Sequence, residues 1–120
     1  MLIENGIYEI NINKDETFTF DSTDNKPYHL ILNPDDLKRS NYYKTLSISI
    51  NDGNSQKDIA LIGSLFGADV GVAILEGNDL IVLMNTSLVV IDCNMLMMKL
   101  HKQLSDFGTY FSIDKSMSST

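Results

Sequence analysis

The chain has no tryptophan, one cysteine, two prolines and two histidines among its 120 residues. A lone cysteine excludes an internal disulfide. His29, Cys93 and His101 lie far apart and show no His-x-x-x-His or Cys-x-x-Cys spacing, so they make a poor zinc set. Basic residues are also scarce. Nine Lys+Arg against sixteen Asp+Glu give a net charge of −7, which excludes a basic nucleic-acid-binding surface as the default. Long apolar runs are missing too. The uncharged stretches 59–68 and 80–91 fall well short of the roughly 20 residues that cross a bilayer. The start, Met1-Leu2-Ile3-Glu4-Asn5-Gly6, lacks the basic-then-apolar pattern of a secretory signal. These absences predict a cytoplasmic protein with no cofactor and with neither nucleic acid nor membrane as a partner.

What is present is apolar and alternating. Hydrophobic residues make up 43% of the chain, enough for a core that needs no metal or disulfide. Ile7-Tyr8-Glu9-Ile10-Asn11-Ile12 puts Tyr8, Ile10 and Ile12 on one face. Thr17-Phe18-Thr19-Phe20 pairs Phe18 with Phe20, and Leu46-Ser47-Ile48-Ser49-Ile50 sets apolar against serine. Period two of this kind predicts half-buried antiparallel strands, wet on the outer side. Residues 28–32 form a further strand candidate, with Pro27 leading in. Asn33-Pro34-Asp35-Asp36 offers a cap, a proline and first-turn acids, which predicts one short helix over residues 34–41.

The second half changes character. Segments 59–66, 70–75, 80–84 and 88–91 are apolar on both faces. Such strands must be covered on both sides, by two layers or by a second subunit. The breaks between them are short: Glu76-Gly77-Asn78-Asp79, Asn85-Thr86-Ser87 and Asp92-Cys93-Asn94. Short links make neighbours, so a meander is expected. Segment 95–104 holds good helix formers, yet Leu96, Met98 and Leu100 share one face of a strand. We read it as strand; a helix there would make the fold α+β. Residues 109–113 then supply another strand. The expected fold is all-β, an antiparallel meander forming a sandwich or curled sheet. Residues 1–114 make one domain and 115–120 a flexible polar tail.

The succession Ile59-Ala60-Leu61-Ile62-Gly63-Ser64, Val72-Ala73-Ile74-Leu75-Glu76, Leu80-Ile81-Val82-Leu83, Val90-Ile91-Asp92 and Phe107-Gly108-Thr109-Tyr110-Phe111-Ser112-Ile113 resembles a group of small β-rich bacterial proteins. The likeness spans roughly residues 58–113 and rests on core and turn positions. It implies strand for 97–104 and brings no assigned activity. Members of the group continue past the point where this chain stops.

Few residues carry chemistry. Cys93 at a helix start would be an activated thiol, but Asp92 beside it opposes that. His101 between Leu100 and Lys102 lacks a local partner, as does His29. These are the reactive candidates, and no catalytic set emerges from them. Asp106-Phe107-Gly108 spells a kinase triplet without the rest of a kinase. Asp52-Gly53-Asn54-Ser55-Gln56-Lys57-Asp58 places oxygens at alternate positions like a calcium loop, but Gly63 stands where the closing glutamate belongs. Gly63-Ser64-Leu65-Phe66-Gly67 lacks a phosphate-loop lysine. The methionines gather at Met95, Met97 and Met98, which with Leu100 form a candidate contact surface. The expectation is therefore a non-enzymatic interaction module that binds a protein partner or associates with itself as a homodimer. The alternative is a small-molecule or carbohydrate-binding β-domain lined by Tyr8, Tyr28, Tyr42, Tyr43 and Tyr110.

Overall fold

The computed structural model describes residues 1–20, 25–38, 43–64, 72–84 and 87–103. These residues form nine strands and no helix. The first sheet holds β1 (Leu2–Glu4), β2 (Glu9–Lys14), β3 (Leu30–Leu32), β4 (Lys44–Asn51) and β5 (Gln56–Gly63), in the order β1-β2-β4-β5-β3. The second holds β6 (Val72–Glu76), β7 (Asp79–Leu83), β8 (Ser87–Asp92) and β9 (Met97–Gln103), in chain order. The fold is all-β, and its second half is the expected antiparallel meander.

Alternation decides which side of each strand is dry. Tyr8, Ile10 and Ile12 from the β2 region, Leu46, Ile48 and Ile50 from β4, and Ile59 and Leu61 from β5 form one inner face. They share a single core with Leu80 and Val82 of β7 and Val89 and Ile91 of β8. The two sheets are thus the layers of a sandwich, each hiding one apolar face in the other. Removing one large residue from such a core, such as Ile48, costs about 2–5 kcal/mol.

Local chemistry sets the turns. In the β6–β7 hairpin Gly77 takes φ +61°, which a side chain would resist. Between β4 and β5, Asp52 Oδ1 accepts from the amides of Asn54 and Ser55, at 2.9 Å each. Between β8 and β9, Asp92 Oδ1 accepts from the amides of Asn94 and Met95, and Leu96 N donates to the Asp92 carbonyl at 2.8 Å. That closed turn, with Leu96 at φ +56°, delivers the chain as a returning strand rather than a helix. The strand begins at Met97, so Met95 and Leu96 belong to the turn. Lys99 is the extra residue of a bulge, because Ile91 pairs with Met98 and Val90 with Leu100.

Three expectations need correction. The short helix over 34–41 is absent from residues 34–38. Asn33 does not simply cap. Its Oδ1 accepts from Leu37 N at 3.0 Å and its Nδ2 donates to Leu37 O at 2.8 Å. The side chain thereby takes both main-chain groups a helix would use, and Asp36 goes to φ +52°. Thr17–Phe20 alternates but is not a strand. Asp15 Oδ1 captures the Thr17 amide at 3.0 Å and Asn25 Oδ1 captures that of Thr19, also at 3.0 Å. Finally, β3 pairs parallel with β5, so the first sheet is not a plain meander. The expected strand at 109–113 and the polar tail 115–120 lie outside the described residues.

Gly63 has a packing role. A Cβ built there would run into the Met84 thioether, so a larger residue at this position would require the Met84 side chain to move. Gly67 lies outside the described residues.

Candidate functional site

The expected double cover holds for two strands and fails for a third. Residues Ile59 to Gly63 of β5 and Ser87 to Ile91 of β8 are buried without interruption, hence on both faces. In β6 the outward Val72 and Ile74 are 57% and 52% exposed. The register carries this open face across the sheet, from Ile74 to Ile81 to Val90 to Leu100. Val90 at the centre is buried, whereas Leu100 and Met97 on β9 are 41% and 48% exposed. Of the methionine cluster, Met97 lies on this outer face with Leu100. Met98 packs against the core, and Met95 stands exposed in the turn. Large apolar side chains left in water lose the burial that usually stabilises them, roughly 25 cal/mol per Å².

The structure also assembles a polar cluster that no spacing announces. Asp35 from the turn after β3 meets Ser87 of β8 and His101 of β9. Ser87 Oγ donates to the Asp35 carboxylate at 2.6 Å and 2.5 Å. His101 Nε2 lies 2.9 Å from Asp35 Oδ1 and 3.4 Å from Ser87 Oγ. Ser, His and Asp are the residue types of a nucleophilic triad, but the wiring differs. The serine proton points to the carboxylate and not to imidazole, and Ser87 is fully buried. The cluster works as a clasp that fixes the turn after β3 onto the second sheet. Asp35 reads in sequence as a helix acid, and its partners are 52 and 66 positions away.

Cys93 is buried in the core, where burial, then Asp92 and Asp79, push its thiol up to about 12. That is the opposite of an activated nucleophile. His29 is exposed, and its Nδ1 accepts from the Asp58 amide at 3.1 Å. The calcium-like stretch is the β4–β5 hairpin, its Asp52 oxygen turned onto its own loop amides. No group of three or more His, Cys, Asp or Glu among the described residues could hold a metal ion. No helix among them is long and apolar enough to cross a membrane.

A cleft of about 410 Å³ opens at one end of β2 and β4. Asp15, Glu16, Phe18, Tyr43 and Thr45 line it, beside Lys14 and Lys44. Its rings are mutually braced. Phe20 lies 4.7 Å from Tyr43 and 6.0 Å from Phe18, and Phe18 lies 6.4 Å from Tyr28. Tyr28 OH donates to Asp15 Oδ2 at 2.6 Å. Burial works to raise the Asp15 carboxyl, but hydrogen bonds from Thr17 and Tyr28 outweigh it and hold the group below its ordinary range. Burial, followed by that same bond, pushes Tyr28 up to about 12. Thr45 is almost fully buried, and its hydroxyl has no hydrogen-bond partner among the described residues. A buried orphan of this kind costs roughly 1–3 kcal/mol. Of the tyrosines singled out for ring stacking, Tyr43 lines this cleft, and Tyr28 stands behind it against Asp15 and Phe18. Tyr8 belongs to the core at the other end of β2, and Tyr42 and Tyr110 lie outside the described residues.

No family model, no curated protein and no solved structure matches this chain.

Proposed function

We propose that the chain is a non-enzymatic interaction module that meets a second protein surface through the outer face of its second sheet. The observation that supports this is the row of exposed apolar side chains on that face: Val72 and Ile74 on β6, Met97 and Leu100 on β9. Exposed patches of this type mark contact surfaces. Self-association would place the same surface of two copies together, so the exposed Ile74 and Leu100 are the positions at which to test it.

Sedimentation velocity over a hundredfold range of concentration tests this. Wild-type chain is expected to shift from monomer to dimer, and Ile74→Lys with Leu100→Lys to stay monomeric while unfolding at the same urea concentration. A wild type that remains monomeric throughout would remove self-association from the proposal.

A further inference from the structure

We propose that Asn5-Gly6 is a site of self-modification, at which the Gly6 amide nitrogen converts the Asn5 carboxamide to a carboxylate and so unties the β1–β2 turn from the β6–β7 hairpin. It is the only Asn-Gly pair in the chain. The reaction needs the main-chain nitrogen of the next residue to reach the asparagine side chain. Glycine leaves that approach uncrowded, since it has no Cβ. Gly6 stands at φ +85°, and a Cβ built on it would meet nothing within 4 Å. Both residues are exposed.

The step balances with water alone. Gly6 N bonds to Asn5 Cγ and gives up its proton. The Cγ–Nδ2 bond breaks, and that nitrogen leaves with the proton as ammonia. Water then adds to a carbonyl of the resulting cyclic imide and opens it. The product is aspartate, or isoaspartate where the ring opens on the main-chain side.

The fold holds this reaction back. Asn5 Oδ1 accepts from the amides of Ile7 and Tyr8 at 3.0 Å each, and Nδ2 donates to the Gly77 carbonyl at 2.9 Å, 72 positions away. Attack requires the carboxamide to swing off these partners, so the reaction proceeds through local opening. A turn beside a three-residue edge strand is among the first places to open. The product cannot rebuild the tie. Aspartate keeps one oxygen for the Ile7 and Tyr8 amides, but the other faces the Gly77 carbonyl, acceptor against acceptor. Glu4 pairs in register with Glu9 beside it, and Glu76 precedes Gly77, so the new charge enters acidic surroundings. β1 lies against β6 here, so the change loosens a margin where the two sheets meet.

Peptide mapping by mass spectrometry, with the aspartate and isoaspartate forms separated, tests this on the full chain in mildly alkaline buffer with and without urea. Asn5 is expected to react first among the asparagines in urea, and about tenfold more slowly in the native chain, as an opening step requires. Gly6→Ala is expected to slow the reaction in urea about tenfold, because a methyl group crowds the nitrogen. Asn5→Asp makes the product directly. It is expected to melt about 4 °C below wild type, with faster amide hydrogen exchange in β1 and in the β6–β7 turn and unchanged exchange in β8. Equal native and unfolded rates, or no reaction in the native chain, would overturn the proposal. So would another asparagine reacting first in urea, an unslowed Gly6→Ala, or an Asn5→Asp chain whose melting and exchange match wild type.

Discussion

On the outer face of the first sheet, Asn11 and Asn13 of β2 stand exposed, whereas Ser47 and Ser49 of β4 are half-buried beneath the segment that leads into β3. Lys26 reaches Ser47 Oγ at 3.5 Å and Asp58 at 3.6 Å, and Tyr28 reaches Asp15. On the outer face of the second sheet the corresponding positions are Ile74, Ile81, Val90 and Leu100, and its margins are bare. Both sheets leave apolar side chains exposed on their edge strands, Leu2 and Ile31 in the first and Val72, Ile74 and Leu100 in the second, but only the second carries an apolar row across its middle. An antiparallel sheet usually carries polar residues on its outer face, as β2 and β4 do. The difference separates burial that serves the fold from exposure that is free to serve a contact.

The comparison breaks most sharply by placing the same charge on each face. Ala60 sits on the outer face of β5, opposite Ser47, and is fully buried. Ala60→Lys is expected to cost at least about 3 kcal/mol, enough to unfold a marginal domain. Ile74→Lys, on the exposed margin of the second sheet, is expected to stay within about 1 kcal/mol of wild type. Urea midpoints of the two variants decide the matter. An equal loss in both would mean that the β6 margin is as deeply packed as β5, and the contact face would disappear with it.

Much of this was legible from residue order. The alternation at Ile10 and Ile12 and at Leu46, Ile48 and Ile50 named the inner face, because a strand has only two sides. The meander through β6 to β9 followed from the shortness of its links. Other features were hidden for physical reasons. Thr17-Phe18-Thr19-Phe20 has a strand's pattern, but Asp15 and Asn25 side chains compete for its amides, and a period count does not register that competition. Asn33 looks like a helix cap and acts as a clamp on Leu37. The apolar outward residues of β6 imply a cover without saying whether this chain provides it. The clasp of Asp35, Ser87 and His101 joins three distant segments, and only the sandwich brings them together.

That clasp gives the next effect in size. It ties the turn after β3, a strand of the first sheet, to the buried centre of the second. Asp35→Ala strips the acceptor from Ser87 and from His101 and leaves a buried hydroxyl short of a partner. A loss of about 2 kcal/mol is expected. Ser87→Ala should cost about half as much, since Asp35 keeps His101. The double variant is expected to cost less than the sum, because the groups share one set of bonds. Strict additivity in that cycle would show that the three side chains sit together without energetic coupling.

The smallest effect at neutral pH appears only as acid is added, and it falls on one face. Asp15 and Asp58 both lie on the outer side of the first sheet, and both are held below the ordinary carboxylate range. In each case burial pushes upward and is outweighed by hydrogen bonds, from Thr17 and Tyr28 to Asp15 and from Ser49 and Gln56 to Asp58. A carboxyl with a depressed folded value binds its proton more readily when unfolded. Its stabilisation is present above the unfolded value, about 3.8, and fades as pH falls through the lower folded one. Asp15→Asn and Asp58→Asn are therefore each expected to flatten the loss of stability below about pH 4, measured by urea unfolding from pH 6 to pH 2. Lys99 on the second sheet makes a shorter ion pair, 2.9 Å to Asp79 against 3.6 Å for Lys26 to Asp58. Yet Lys99 is exposed, so Lys99→Gln should leave the acid limb unchanged and should lose its small effect in added salt. The two lysines are about equally exposed, 43% for Lys26 and 46% for Lys99, so the difference expected between the pairs rests on the carboxylates, Asp58 at 15% against Asp79 at 36%.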